Sequence, residues 1–104
     1  MFDEMFGDME EQSKLLKEKL AGIQLKTSSG GDLVQVTGNA AREVTAVKIS
    51  PDLLQVEEAE QLEDLLVIAI NELLGKASEA EVKATEEMMR DLLPGLGGLG
   101  NLLG

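Results

Sequence analysis

Apolar residues recur at spacings of three and four near the N-terminus, alternate through the middle, and return to threes and fours over most of the second half. That order predicts helix, sheet, helix. The first helix is expected from Asp8 to Ile23, on a stripe of Met5, Met9, Gln12, Leu16, Leu20 and Ile23 with Leu15 beside it. Acids gather toward its start and lysines later, the arrangement a helix dipole favours, and Gly22 weakens its last turn. Gln24–Ser28 is a weak strand candidate, closed by the turn residues Ser29-Gly30-Gly31-Asp32. In the next strand Leu33, Gln35 and Thr37 alternate with Val34, Val36 and Gly38, and the β-branched Val34 and Val36 are expected to face the core. Gly38-Asn39-Ala40-Ala41 is a turn of hairpin size, and Glu43–Ile49 is the third strand, with Val47 and Ile49 on its more apolar face. Connections this short allow only an antiparallel meander.

Ser50-Pro51-Asp52 breaks the strand, and Leu53-Leu54 is read as a single turn. A long helix is then expected from Glu57 to Met89, along Leu62, Leu65, Leu66, Ala69, Leu73, Ala77, Ala80, Ala84 and Met88. Between Leu62 and Leu74 the added Val67, Ile68 and Ile70 widen the stripe, which implies one burial surface against the sheet and a second against something else. From Lys76 onward the stripe is mostly Ala, so this half is expected to project from the body or pair with another helix along small residues. Such a helix is about 50 Å long, more than one small domain covers, and self-association is the simplest answer. Leu62, Leu66, Ile70 and Leu73 are the candidate dimer-interface residues. Pro94 ends the pattern. The chain therefore divides into a single α+β domain over 1–93 and a Gly/Leu-rich tail over 94–104, expected to be flexible, with a partner-binding tail as the alternative.

Composition narrows the chemistry. The 104 residues suit one domain, and they include no His and no Cys. Ser–His–Asp and Cys–His triads, disulfides, and thiolate or imidazole metal sites are therefore excluded. Two Phe with no Tyr or Trp leave almost nothing for base stacking. Gly30–Gly38 (GGDLVQVTG) precedes a strand rather than opening a helix, and no GKS or GKT follows the C-terminal glycines, so no nucleotide cofactor is expected. Glu57, Glu58, Glu60, Glu63 and Asp64 lack the spacing of a calcium loop and read as a solvated acidic first turn, so no metal is expected. The longest wholly apolar run, Leu65–Ile70, is too short to span a membrane, and the N-terminal Met1-Phe2-Asp3-Glu4 carries no sign of a secretory signal.

Charge is uneven. Residues 1–31 carry six acids and four Lys, 32–50 two of each sign, and 51–104 twelve acids against three bases, for a formal net charge of −11. Lys14, Lys17, Lys19 and Lys26 form the one cationic cluster in the sequence. Taken alone they are equally the solvated face of a helix paired with acids, as Lys14 and Glu18 are spaced.

The ordered set GGDLVQVTGN at 30–39, EVTAVKISPDLL at 43–54 and EQLEDLLVIAINELLGKASE at 60–79, with the closing GLGG, resembles the YbaB/EbfC family of small bacterial nucleoid-associated proteins over about residues 8–97. Asp32 and Gln35 stand where that family's pattern has Gly and Lys. The resemblance implies a two-layer α-β-β-β-α protomer that forms a homodimer, located in the cytoplasm and nucleoid, binding double-stranded DNA and shaping it, with no enzymatic activity. The basic positions it associates with DNA correspond here to Lys14, Lys17, Lys19 and Lys26, together with Arg42 and Lys48. The competing class is an acidic dimeric adaptor or chaperone-like module that binds another protein through its apolar helix surface and tail.

Overall fold

The computed structural model describes residues 2–92, and side-chain surroundings for 9–91. The side chain of Met5 and the Gly/Leu tail over 94–104 lie outside the described residues. The order of elements is α1 (Phe2–Ala21), β1 (Gln24–Ser29), β2 (Val34–Asn39), β3 (Val44–Ile49), two 3₁₀ turns at Pro51–Leu53 and Val56–Glu58, and α2 (Ala59–Leu92). The strands form one antiparallel sheet in the order β1-β2-β3, with α2 packed across one face. The α+β class, the meander and the long C-terminal helix match the expectation from sequence.

The core follows from the strand alternation. Val34 and Val36 on β2 are wholly buried with Ala69 and Leu73 of α2, and Leu53 closes one end. Opposite Val36 and Val34 in the register stand Thr27 and Ser29 of β1. Their hydroxyls donate to the α2 carbonyls of Ala69 (2.7 Å) and Leu65 (2.6 Å), one helical turn apart, and these bonds make burial of the two polar residues affordable. Lys76 Nζ donates to the Lys26 carbonyl at 3.3 Å, which ties α2 to β1 a little further along. The helix thus sits over β1 and β2. Val44 to Lys48 of β3 remain exposed, and only Ile49 reaches the core.

Beyond the sheet α2 continues as one half of a two-helix arm. Leu20 of α1 and Ala84 of α2 are buried together with Ala40, flanked by Leu16 and Ala80. The helix expected to pair along the Ala seam is therefore the chain's own α1. Glu72, Glu79 and Glu86 stand one turn before Lys76, Lys83 and Arg90, a spacing that favours an exposed helix. The arm gives the protein extents of 61 × 37 × 17 Å and a radius of gyration of 19.6 Å. A compact domain of this length would have about 13 Å.

Several expectations are corrected, among them the assignment of Ser29 to a turn, since β1 runs through it. The first helix begins at Phe2 rather than Asp8. Met9 and Leu15, assigned to its apolar stripe or its margin, are exposed, because Leu20 and Leu16 carry the packing. β2 continues through Asn39, so the hairpin turn is Ala40-Ala41-Arg42 rather than Gly38–Ala41. The register then slips: Thr37 pairs with Ala46 and Gly38 with Val44, leaving Thr45 as an extra residue in a bulge.

Candidate nucleic-acid interface

The β2–β3 turn places the most constrained of the candidate cations. Asn39 Oδ1 accepts from the backbone N–H of Ala41 (3.0 Å) and Glu43 (3.3 Å), and the Asn39 N–H bonds to the Glu43 carbonyl at 3.0 Å. The Ala40 N–H is shared between the Leu20 and Ile23 carbonyls, both at 3.1 Å, so the turn caps the end of α1. A three-residue hairpin loop of this kind ends in a left-handed residue, normally Gly or Asn. Here that residue is Arg42, with φ +64°. A side chain in that conformation costs on the order of 1 kcal/mol.

The guanidinium of Arg42 reaches α2. Nη2 lies 2.7 Å from Glu81 Oε2 and donates to Ser78 Oγ at 3.4 Å. The contact with Glu81 is an ion pair without in-line hydrogen-bond geometry, and that carboxylate oxygen is otherwise buried and unpartnered. Arg42 and Glu81 also line a crevice of about 260 Å³ with Ser13, Leu16, Lys17, Leu20, Ala40 and Ala41. Lys17 and Arg42 therefore share one side of the arm. Lys14, three residues before Lys17, joins them on that face of α1.

The remaining candidates lie elsewhere. Lys19 is about 200° around α1 from Lys17. It turns to the other flank, where its ammonium pairs with Glu87 at 3.2 Å. Lys26 and Lys48 project from the sheet face opposite α2, because Thr27 and Val47 occupy the alternate positions directed to the helix side. Their outward neighbours on the strands are Gln24, Ser28, Gln35, Thr37 and Ala46, with no acid among them. The six candidates thus form three groups: Lys14, Lys17 and Arg42 along one side of the arm, Lys26 and Lys48 on the open sheet face, and Lys19 in an ion pair. Glu81 and Ser78, which position Arg42, were missing from the sequence reading. Their only local signal was their place on α2 beside the Ala seam.

The model of the YbaB/EbfC DNA-binding family matches residues 2–93. The chain belongs to that family. Curated relatives within reach include a nucleoid-associated protein of Bartonella tribocorum, 40% identical over 85 residues that cover 82% of this chain and 79% of the relative. Nucleoid-associated proteins of Neisseria gonorrhoeae (38% identical, covering 86% and 82%) and Chloroflexus aurantiacus (35%, covering 92% of each) are similar over nearly the same span. Among solved structures, an uncharacterized protein from Helicobacter pylori superposes with a TM-score of 0.68 at 25% identity, covering 85% of this chain and 92% of that one.

Within this YbaB/EbfC chain the acids are concentrated on α2, which carries nine against three bases. Lys26 and Lys48 on the open sheet face stand apart from those acids, whereas on the arm Glu81 and Glu86 line a crevice with Arg42 and Glu87 pairs with Lys19. Among the described residues no group of acids could hold a metal ion, and no helix is long and apolar enough to cross a membrane.

The candidate dimer residues also divide. Leu73 is fully buried inside the protomer, where it packs on Gly38 and the β2 valines, and it has no surface to offer a partner. That assignment is corrected. Leu62, Leu66 and Ile70 are half-buried at the margin of the core. Beside them Val67 is 58% exposed, and Val47, on the helix-facing side of β3, is 45% exposed.

Proposed function

We propose that this protein is a nucleoid-associated DNA-binding protein that acts as a homodimer and holds duplex DNA mainly through its backbone phosphates. The observation that carries the reading is that Lys17 and Arg42 line one crevice of the arm, with Lys14 one turn before Lys17 on α1, in a chain of this family. Side chains of this kind recognise phosphate charge and carry no base code, so sequence preference is expected to be modest. Two arms fixed at a set spacing by the dimer would bend or bridge the duplex. The net charge of −11 per chain opposes long-range attraction, but screening limits that repulsion beyond about 8 Å at physiological ionic strength.

Three cations per protomer make about six phosphate contacts per dimer if all engage, and each contributes about −0.9 to the slope of log affinity against log salt. A slope of about −3 to −5 is expected, with micromolar affinity at physiological salt. The double reversal Lys14→Glu with Lys17→Glu should weaken binding about equally on unrelated duplexes. Fluorescence anisotropy over a salt series checks both. Binding untouched by the double reversal would remove this side of the arm as the DNA surface. No binding at about 20 mM salt would favour a protein-binding adaptor instead.

The dimer is expected to form on the apolar strip where α2 leaves β3 uncovered. Leu66, Ile70, Val67 and Leu74 share the α2 flank on the β3 side, next to Val47 and Ile49 of β3. A second copy related by a two-fold axis would cover this strip with the same strip of its own. Sedimentation equilibrium at low micromolar concentration should give twice the 11.1 kDa chain mass, and Val47→Lys should return a folded monomer. A wild-type monomer at that concentration would sink the dimer, and an intact Val47→Lys dimer would move the interface elsewhere.

A further inference from the structure

The Arg42–Glu81 pair has features that a simple stabilising contact does not need. Arg42 occupies a left-handed position that Gly would fill without strain, so the fold keeps an arginine there against its backbone preference. Strain held at one exposed side chain points to a role for that side chain. The guanidinium is half exposed (51%), and it shares its crevice with Lys17, while the carboxylate facing it makes an ion pair of imperfect geometry. Ser13 adds a hydroxyl to that crevice, and Ser78 Oγ, which lines an adjoining crevice with Glu86, accepts from the guanidinium. Two cations and the Ser13 hydroxyl are the donors of a phosphate site, and the Glu81 carboxylate is an anion already in it.

We infer that the crevice between α1, the β2–β3 turn and α2 is a phosphodiester site in which the Glu81 carboxylate acts as a resident stand-in for phosphate, displaced when a nucleic-acid backbone binds. The inference rests on the DNA-binding reading for its physiological ligand, although the site itself is defined by the side chains alone. Arg42 supplies a planar fork suited to two phosphate oxygens, and Lys17 supplies a second positive charge. With Glu81 in place the crevice carries a net charge of about +1, which weakens every anion that competes for Arg42. The built-in competitor keeps the affinity low and the complex readily reversible.

Glu81→Gln keeps the shape and removes the competing charge. It should tighten binding of a 20-base-pair duplex about threefold to fivefold, the range expected for a half-exposed ion pair. Glu79→Gln removes an equal charge about 200° away around α2 and should have little effect. Arg42→Gly relieves the backbone and so should fold; in combination with Glu81→Gln it should abolish the gain. Inorganic phosphate provides a readout independent of DNA. In the full-length Glu81→Gln protein, saturable shifts of the Arg42 Nε–H and of the Ala41 and Arg42 amide signals are expected on titration with phosphate, and they should vanish in the double variant. An equal gain from Glu79→Gln, or a gain that survives Arg42→Gly, would reduce the effect to net charge and overturn the proposal. Phosphate that leaves Arg42 unperturbed in Glu81→Gln would overturn it whatever DNA does. Phosphate binding at Arg42 with no duplex binding by any variant would sustain the anion site and remove the DNA reading.

Discussion

Leu73→Ala should destabilise the protein by about 3–5 kcal/mol, the largest loss expected from truncating a single side chain here. Leu73 has no exposed surface and packs from α2 against Val36 and into the space that Gly38 leaves. Its removal leaves a cavity walled by a strand backbone that cannot collapse into it. Domains of this size have about 5–10 kcal/mol of stability in total, so the variant should be close to its folding limit. Urea unfolding at several protein concentrations would measure the loss, as a midpoint shift of about 2 M. Leu66→Ala provides the contrast. Leu66 is half-buried, so it should cost less in the protomer and show a stronger dependence on protein concentration if it lies in the dimer interface. A loss below about 1 kcal/mol for Leu73→Ala would mean that the core is centred elsewhere.

Much of this core was legible because it depends on period alone. Val34 and Val36 alternate, and Leu62, Leu66, Ala69, Leu73 and Ala77 advance by threes and fours, so each pattern names its own buried face. The pairing of a small-residue seam with another helix was legible for the same reason. What escaped was set by contacts between distant parts of the chain. Thr27 looked like part of a weak polar strand and Ser29 like a turn residue, yet their hydroxyls are what anchor β1 to α2. The bulge at Thr45 depends on where the turn closes, and no composition rule marks Arg42 as a left-handed residue. The lysine cluster shows a different limit. Lys14, Lys17 and Lys19 are neighbours in the sequence, but helical phase sends Lys19 to Glu87 and leaves Lys17 beside Arg42, a partner from another element. A cationic patch is a property of a surface, and proximity along the chain stands in for it poorly.

Gly38→Ala should cost about 3 kcal/mol, at the upper end of what one added methyl does in a packed interior. Two neighbours oppose that methyl. A Cβ at position 38 would lie 2.7 Å from Leu73 Cδ2 and would collide with the backbone carbonyl oxygen of Glu43. The leucine can rotate away, but the carbonyl cannot, because Glu43 is fixed by the Asn39 N–H and by the Asn39 side chain. The two clashes can be separated. Combining Gly38→Ala with Leu73→Ala removes the side-chain contact and leaves the backbone one, so the double variant should be less destabilised than the sum by about 1 kcal/mol without being rescued. Denaturant unfolding of the four proteins gives that coupling directly. The outcome bears on function through the hairpin, since the turn that Gly38 allows to approach is the one that holds Arg42 over Glu81. A Gly38→Ala protein within about 0.5 kcal/mol of wild type would show that β3 can shift along β2, and the position of Arg42 would then be a property of the ion pair rather than of the strand register.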